Sequence, residues 1–298
     1  MTVLVIGATG RVASHLTRNL LAAGVSVRAL VRNRDKAIAA FAGAAGATEL
    51  DVVAGAFNDA AVLHRALDGI DTVFLALGTS LEQIALEKGL IDAAARANVS
   101  QIVRLSVLGA DASANYEVGR RHGELDDYLV ASGAPNTRLR PAYFSSNLLL
   151  AAASIASANR WFGSAPDGRI AIIDTRDVSD AAAAVIKNPA LWNATYDLTG
   201  PGALTFSEVA ELFTKVLGHR VNYVPVDQAT LRQGYAARGV PDWLTDIALG
   251  IDRAMQSGSH AHETRDLARL LGASPRTVED FIRDHKAAFV AAPAAVAR

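Results

Sequence analysis

The chain has 298 residues, of which 51% are hydrophobic and 20% are charged, a composition that supplies a sizeable core and excludes long disorder. Its 29 lysines and arginines and its 30 acidic residues give a net charge of −1, so no overall field attracts nucleic acid or an anionic membrane. The absence of cysteine excludes disulfides, thiolate catalysis and cysteine-based metal centres.

Neither of the two most apolar segments is typical of a targeting or membrane segment. Residues 3–6 form a short run with no basic segment before it, which predicts a strand rather than a signal peptide. Residues 148–158 are too few, and too often interrupted by serine, to span a bilayer. We therefore expect a cytoplasmic protein with no membrane partner.

Six β-rich apolar runs alternate with five helical patterns through the first half of the chain. The predicted strands are residues 3–6, 26–31, 50–54, 72–76, 101–105 and 137–140. The predicted helices are residues 11–23, 34–42, 59–68, 80–97 and 120–132. This alternation is typical of an α/β fold with a Rossmann-like, doubly wound parallel sheet, which binds ligands at the carboxyl ends of its strands.

The regular alternation ends at Pro141. The predicted elements that follow are a helix near residues 144–158, a strand at 169–173, a helix opened by Asp177 or Ser179, and a strand at 194–200. Thr205 and Glu208 then form a predicted capping box at the start of a mostly helical remainder.

The first strand leads directly into Gly7-Ala-Thr-Gly10 and a helix. This arrangement directs unpaired backbone N–H groups and the positive end of the helix at the carboxyl edge of the sheet, where they bind anions such as a pyrophosphate. Glycine pairs also occur in strand-to-helix turns for purely local reasons, so the pair alone leaves both interpretations open. The strand–turn–helix frame favours a dinucleotide, with Ala13 at the third small position.

The residues after the second strand indicate which dinucleotide is bound. NAD sites usually place an acid there, whereas this sequence has Arg32, Arg34 and Lys36. Guanidinium and ammonium groups suit the 2′-phosphate of NADP. A solvated charged loop is the alternative interpretation, and Asp35 is available as a late acid, but we expect NADP(H) to be preferred over NAD(H).

Four segments give the chain a resemblance to the NmrA-like, atypical branch of the short-chain dehydrogenase/reductase superfamily. They are GATGRVA at the first turn, VRNRDKA after the second strand, HGELDDYLVASGAPNTRLRPAYFSSN at 122–147 and YDLTGPGALTFSEVAELFTKVLGHRVNY at 196–223. With GVPDWLTDIALGIDRAMQSG near its end, the sequence is most similar to the bacterial reductases of that branch that act on quinones or triphenylmethane dyes. The resemblance implies an NADP-binding domain at 1–142 and a smaller, mostly helical substrate-binding lobe at 143–298, with 169–200 returning to the sheet.

The resemblance also implies a set of cofactor-binding residues. They would hold, in turn, the diphosphate, the adenosine phosphate, the adenine-to-ribose path, the substrate side and the nicotinamide. In that order they are Gly7, Thr9, Gly10, Arg11 and Val12; Arg32 and Lys36; Leu75, Ala76 and Leu77; Ser106; and Pro141, Tyr143 and Phe144. Where relatives usually place an acid for the adenine this chain has Ala56, so recognition there would depend on backbone groups or on Phe57.

The larger departure concerns catalysis. Conventional members carry a tyrosine and a lysine four residues apart, and the lysine lowers the pKa of the phenol so that it can transfer a proton. The nearest equivalent here is Tyr116 with Arg120, and the usual lysine before Gly-Glu corresponds to His122. We expect His122 to face the nicotinamide ribose or to donate a proton, with Tyr116 and Tyr143 as further catalytic candidates; a surface histidine and packed tyrosines are the alternatives.

These observations predict an NADPH-dependent reductase that transfers hydride to a small, planar, electron-poor acceptor such as a quinone, a dye, an enone or a carbonyl compound. An inactive, NADP-binding redox sensor of the NmrA type is the alternative, because the Tyr/Lys pair is missing. We expect no metal site, since the spacing of His260 and His262 does not suit a helical ligand pair. A small molecule is the expected partner, and the protein is expected to be a monomer or homodimer.

Overall fold

The computed structural model of the protein describes residues 1–290. Residues 291–298, the end of the predicted lobe, lie outside the described residues. Within residues 1–290, no helix is both long and apolar enough to cross a membrane.

The described chain contains strands that form two sheets. They are β1 (Thr2–Ile6), β2 (Ser26–Val31), β3 (Leu50–Ala54), β4 (Thr72–Leu75), β5 (Gln101–Leu105), β6 (Asn136–Pro141), β7 (Arg160–Gly163), β8 (Thr195–Leu198) and β9 (Asn222–Pro225). The larger sheet is parallel and has the order β3-β2-β1-β4-β5-β6-β8, while β7 and β9 form a separate parallel pair. The strand order reverses between β1 and β4, which is where a doubly wound sheet opens its ligand crevice.

Helices connect these strands; some cover the larger sheet and others build the C-terminal lobe. They are α1 (Arg11–Ala22), α2 (Arg34–Phe41), α3 (Ala60–Leu67), α4 (Gln83–Arg96), α5 (Glu117–Ala131), α6 (Ala152–Ala158), α7 (Thr175–Lys187), α8 (Phe206–Leu217), α9 (Gln228–Ala236), α10 (Asp242–Gln256), α11 (Asp266–Leu271) and α12 (Val278–Asp284). The predicted α/β class with a doubly wound parallel sheet is confirmed.

The alternating side chains of β1 show how both faces of the sheet are buried. Val3 and Val5 are fully buried in a cluster with residues of α1, α7 and α11. Leu4 and Ile6 face the opposite side, among residues of α3, α4 and α5. Because successive side chains of a strand point to opposite faces, an unbroken apolar run is what a central parallel strand requires.

The C-terminal lobe has its own apolar cluster. It is built around Trp161, Phe206, Phe213 and Tyr223, and the Trp161 ring centroid lies 5.5 Å from those of both Phe213 and Tyr223. These residues come from β7, α8 and β9, so the short strand pair forms one wall of the lobe. Tyr143, directly after β6, packs against this cluster and joins the lobe to the carboxyl edge of the sheet.

Several elements beyond Pro141 differ from the sequence-based expectations. Residues 169–173 form no strand, only isolated bridges from Ile170 to Leu204 and from Ile173 to Phe144. Helix α7 begins earlier than expected, because the Asp174 side chain accepts the Arg176 N–H and caps it. The β7–β9 pair was not expected, and residues 145–151 form a 3₁₀-helix before α6.

Two helical glycines make a matched pair for a stability test. A Cβ at Gly123 in α5 would lie 2.2 Å from the Ala112 backbone nitrogen, whereas nothing lies within 4 Å of a Cβ at Gly89 in α4. We expect Gly123→Ala to lower the free energy of unfolding by about 1–3 kcal/mol, because backbone must move. Gly89→Ala should raise it by up to about 1 kcal/mol through helix propensity. Urea unfolding measures the free energy of unfolding of both variants. An equal increase in the two would contradict the close packing of α5 against the backbone of residues 111–112.

Candidate functional site

The turn after β1 lies at the reversal point of the sheet. Gly7 has a φ of +70°, and a Cβ there would lie only 2.8 Å from the Ala76 carbonyl oxygen, so the ends of β1 and β4 are in close backbone contact. Gly10 donates its N–H to the Gly7 carbonyl at 2.8 Å and precedes α1 without any side-chain cap. The first turn of α1 contains no acidic residue. This helix end therefore offers backbone N–H groups to an anion.

These features fit the diphosphate of a dinucleotide. Thr9 and Arg11 are exposed beside the turn, so their side chains are accessible to a ligand. Val12 is different, because its side chain lies in the core and its carbonyl accepts a hydrogen bond from Ser179 Oγ at 2.9 Å. Only the backbone N–H of Val12 can take part in anion binding.

Arg11 also links the two parts of the site. Its Nη1 donates to Asn147 Oδ1 at 2.8 Å and contacts Ser146 Oγ at 3.4 Å. Both partners belong to the 3₁₀-helix that follows Phe144. The start of α1 and the first segment of the C-terminal lobe thus lie side by side.

The basic residues after β2 divide into two groups. The Arg34 guanidinium donates to the Val52 carbonyl oxygen, and Asn33 caps α2 by accepting the Lys36 N–H at 2.8 Å. Arg32 and Lys36 are exposed, and within residues 1–290 neither side chain forms a hydrogen bond or an ion pair. Arg32 and Lys36 are therefore the cations accessible to a phosphate, whereas Arg34 is held by the protein.

The loops after β3 and β4 lie at the same carboxyl edge of the sheet as the turn after β1. Leu75 is buried in the core, whereas Phe57, Ala76 and Leu77 are half-buried. A groove of about 710 Å³ starts at Phe57 and continues between α3 and α4. Phe57 and Leu77 thus present apolar surface at the edge of the sheet, as adenine binding requires.

A buried charge network is built around β5, which lies two strands from β1 in the sheet, on the side away from β2. Arg104 of β5 is fully buried; its Nε donates to Glu87 Oε2 at 2.9 Å and its Nη1 to Asp126 Oδ1 at 2.6 Å. Asp126 Oδ2 accepts from Arg140 Nε at 2.9 Å and from Ser106 Oγ at 3.0 Å. Ser106 is therefore engaged with a carboxylate inside the protein. Burial raises the pKa of Glu87, against the opposing effect of Arg104.

The His122 ring lies against this network and is only 8% exposed. Arg104 Nη2 is 3.2 Å from His122 Nδ1, and a guanidinium can only donate, so Nδ1 is the acceptor and the ring proton is on Nε2. Burial and the charges of Arg104 and Arg121 hold the pKa of His122 well below its usual value. The ring is therefore neutral at neutral pH, which disfavours the expected role as a proton donor.

The proton on His122 Nε2 has no acceptor within residues 1–290. Its neighbour at 3.4 Å is Gln83 Nε2, which donates to Glu87 Oε1 at 2.9 Å. Two N–H groups facing each other do not form a hydrogen bond. The Nε2–H thus faces the buried Gln83 amide, whose own Oε1 also lacks a partner within residues 1–290.

Tyr116 is buried at the N-terminus of α5. Its hydroxyl donates to the Leu108 carbonyl oxygen at 3.1 Å, and its ring packs edge-on against His260 at 5.4 Å. Burial raises the pKa of Tyr116 to about 12. The hydroxyl is thus protonated and committed to a backbone acceptor.

Tyr143 lies at the carboxyl edge of the sheet, two residues after Pro141, the last residue of β6. Burial, together with the charge of Asp252, raises the pKa of Tyr143 well above its usual value. The Tyr143 ring contacts Phe206 with a centroid separation of 6.1 Å. Phe144 is half-buried and forms a bridge to Ile173. Tyr143 is therefore a neutral phenol at the junction of the sheet and the lobe.

The lobe also contains a cavity of about 530 Å³ beside Ser164, bordered by Gln228, Arg253 and Gln256 among others. Within residues 1–290, no group of three or more histidine or acidic side chains is placed to hold a metal ion. His260 is buried against Tyr116, whereas His262 is exposed.

The sequence matches the NmrA-like family over residues 1–282. The chain belongs to this family. It is 30% identical over 290 residues to an NAD(P)H azoreductase from Xenophilus azovorans, an alignment that covers 97% of this chain and 100% of that protein. The predicted family is confirmed, and this relative agrees with the predicted oxidoreductase class.

Solved structures of the NmrA-like fold align over nearly the whole chain. An NADPH-dependent quinone oxidoreductase from Escherichia coli, complexed with NADPH, has a TM-score of 0.85 at 27% identity and covers 95% of this chain and 99% of its own. NmrA, a negative transcriptional regulator solved with NAD, has a TM-score of 0.75 at 20% identity, covering 95% of this chain and 94% of its own. The second likeness shows the fold alone.

The sequence reasoning did not identify the network of Arg104, Glu87 and Gln83 in this NmrA-like chain. One signal was present, since Arg104 is a charged residue within the otherwise apolar end of β5. A charge at a buried strand position requires partners from neighbouring elements. Glu87, in α4, precedes Arg104 by 17 residues in the sequence, and Asp126, in α5, follows it by 22.

The network makes a testable contribution to stability. Arg104→Met leaves Glu87 and Asp126 buried without their shared cation, so we expect a loss of about 3–5 kcal/mol in the free energy of unfolding at pH 7. Burial already raises the pKa of Glu87 and Arg104 opposes that effect, so removing the cation raises the folded-state pKa of Glu87 further. The loss should therefore shrink as pH falls and Glu87 becomes protonated.

Lys88→Met is the matched control, because Lys88 and Glu124 form an exposed ion pair between the same two helices. It should cost less than about 1 kcal/mol. Urea unfolding at pH 7 and pH 5 measures both variants, and a pH-independent loss in Arg104→Met would contradict the charge-based explanation.

Proposed function

We propose that the protein is an NADPH-dependent reductase that delivers hydride to a small, planar, electron-poor organic acceptor such as a quinone, a dye, an enone or a carbonyl compound. The observation that carries the proposal is the uncapped start of α1 at the reversal point of the sheet, with Gly7 against Ala76. Bound there, the cofactor would supply a hydride from C4 of its nicotinamide. The azoreductase and quinone oxidoreductase relatives support an acceptor of this class.

Arg32 and Lys36 support the preference for NADPH over NADH. Both are exposed and without partners among the described residues, so their charges are available to a 2′-phosphate. Asp35 is also exposed, but it lies in the first turn of α2, beyond the strand end where an acid usually binds the ribose.

His122 is proposed as a ligand of the nicotinamide ribose. Its Nε2–H is held in place because Arg104 occupies Nδ1, and it lacks a protein acceptor among the described residues. A neutral imidazole in this tautomer binds a hydroxyl without supplying a proton. Tyr143, protonated and next to Asn147, would border the acceptor, whereas Tyr116 supports the loop after β5.

An electron-poor acceptor suits a site without a conventional proton donor. The Tyr143 and Tyr116 phenols have raised pKa values, and His122 is neutral, so none is a strong acid at neutral pH. An acceptor that is already electrophilic needs little help from an acid. Positioning against the cofactor then supplies most of the rate enhancement.

Two variants distinguish the proposed contact to the 2′-phosphate from the proposed contact to the nicotinamide ribose. Arg32→Ala should raise the Kd for NADPH about tenfold or more and leave the Kd for NADH nearly unchanged, since only NADPH carries the 2′-phosphate. His122→Leu should weaken both dinucleotides to a similar extent, because they share the nicotinamide ribose. Titration calorimetry of both variants checks this. An equal effect of Arg32→Ala on both dinucleotides would remove the argument for NADP preference.

A redox sensor is the second candidate, favoured by the absence of the Tyr/Lys pair and by the shared fold with a transcriptional regulator. The wild type should oxidise NADPH steadily when quinones, azo dyes or triarylmethane dyes are supplied. Gly10→Asp should abolish binding and turnover together, because its carboxylate repels the diphosphate. Tight NADPH binding with no turnover of any acceptor would reject the reductase and favour the sensor.

A further inference from the structure

The loop of residues 78–82 joins β4 to α4 at the carboxyl edge of the sheet. It starts two residues after Ala76, whose carbonyl oxygen lies against the Gly7 turn. Four of its five residues are exposed, Ser80 is half-buried, and Leu81 alone is 65% exposed. Because no side chain of this loop is buried in the core, its position depends on hydrogen bonds.

The hydrogen bonds of this loop meet at one atom. Glu82 accepts the Leu86 N–H at 3.0 Å as part of the first turn of α4. The remaining hydrogen bonds of the loop within residues 1–290 go to the Ser80 carbonyl oxygen, which accepts the Gln83 N–H at 3.3 Å and Arg121 Nη1 at 2.8 Å. Arg121 is thus the one side chain in the described part of the chain that holds the loop.

Arg121 lies on α5 and is itself fixed. Its Nε donates to Glu117 Oε1 at 2.7 Å, one turn earlier on the helix, and its side chain is only 14% exposed. The next residue, His122, lies against Gln83 with 3.4 Å between the two Nε2 atoms, so the start of α4 meets the same turn of α5. A guanidinium can bond a carboxylate and a carbonyl at once, because its N–H groups point in fixed directions. Glu117 and Arg121 therefore brace the loop through Ser80.

The neighbouring Arg120 shares Glu117 but does not reach the loop. Its Nη2 donates to Glu117 Oε2, and its Nη1 lies 3.4 Å from the Ala114 carbonyl oxygen, just before α5. The Arg120 side chain is 45% exposed. Two adjacent arginines thus pair with one carboxylate, and only Arg121 connects α5 to the segment after β4.

We propose that Arg121 is a positioning residue for the cofactor, because it holds the 78–82 loop beside the nicotinamide half of a bound dinucleotide. The strand order reverses between β1 and β4. A dinucleotide with its diphosphate on the turn after β1 passes the end of β4 on its way to β5 and β6, and the loop borders that path. This inference rests on the proposed function and adds a residue that acts on the cofactor only through the loop.

The brace lowers the cost of binding. Ordering a loop at the moment of binding consumes conformational entropy, which weakens the affinity for the ligand. A loop that is already held by Arg121 loses less entropy when the dinucleotide arrives. NADPH and NADH share the nicotinamide half, so the brace should favour both dinucleotides equally.

The test compares Arg121→Met with Arg120→Met. Both variants lose one positive charge and one partner of Glu117, but only the first loses the bond to Ser80. The first readout is the Kd for NADPH and for NADH by titration calorimetry. The second is the rate at which thermolysin, which cleaves before leucine, cuts the bond before Leu81 with and without NADPH. Neither readout needs turnover.

For Arg121→Met we expect the Kd for both dinucleotides to rise about tenfold and cleavage before Leu81 to accelerate by a similar factor, since one charged hydrogen bond is lost. Arg120→Met should match the wild type in both readouts, and NADPH should slow the cleavage of the wild type. Where Arg121→Met does not fold, Arg121→Lys replaces it. Lysine keeps the charge but not the fork that serves two acceptors, so its Kd should rise about threefold.

An unchanged Kd in the Arg121 variants would overturn the inference, even if cleavage before Leu81 is faster. Equal effects of Arg120→Met and Arg121→Met would also overturn it. A wild type that binds NADPH but reduces no acceptor would reject the proposed reductase, and the comparison of Kd values would still decide the role of Arg121.

Discussion

The close approach of Gly7 to the carbonyl of Ala76 is the contact on which the site depends. It brings the ends of β1 and β4 together where the sheet reverses, and no side chain fits between them. Helix α1 then starts at Arg11 with its N–H groups uncapped by any side chain. The same end is fixed because α1 packs on α7, with Ser179 Oγ bonded to the Val12 carbonyl. The anion site is thus rigidly placed relative to both halves of the chain.

The buried network around Arg104 determines what chemistry this frame can perform. It joins α4, β5, α5 and β6 through charged hydrogen bonds. Glu87 and Asp126 are occupied by Arg104, while His122 is held neutral with its proton on Nε2. The network therefore orients hydrogen-bond donors and does not act as an acid.

The first half of the fold was predictable because its signals are local. Apolar runs, glycine turns and helix periodicity located β1 to β6 within one or two residues, and the capping box of Thr205 and Glu208 is present. The β7–β9 pair was not predictable, since Trp161 and Tyr223 pair across about 60 residues and each strand is only four residues long. The glycine turn and the basic residues after β2 were visible in the sequence, whereas the hydrogen bond that holds Arg34 and leaves Arg32 free was not. The bonds of Ser106 to Asp126 and of His122 to Arg104 were not visible either, because they depend on how distant helices pack.

The free cations of the site are gathered at one end of it. Arg32 and Lys36 lie exposed after β2, and Arg11 stands at the turn before α1. At the other end, His122 and Tyr143 are neutral groups that exert no comparable attraction on a phosphate. A dinucleotide bound at this edge would therefore direct its phosphates towards β1 and β2, so the charge distribution itself favours one orientation of such a ligand.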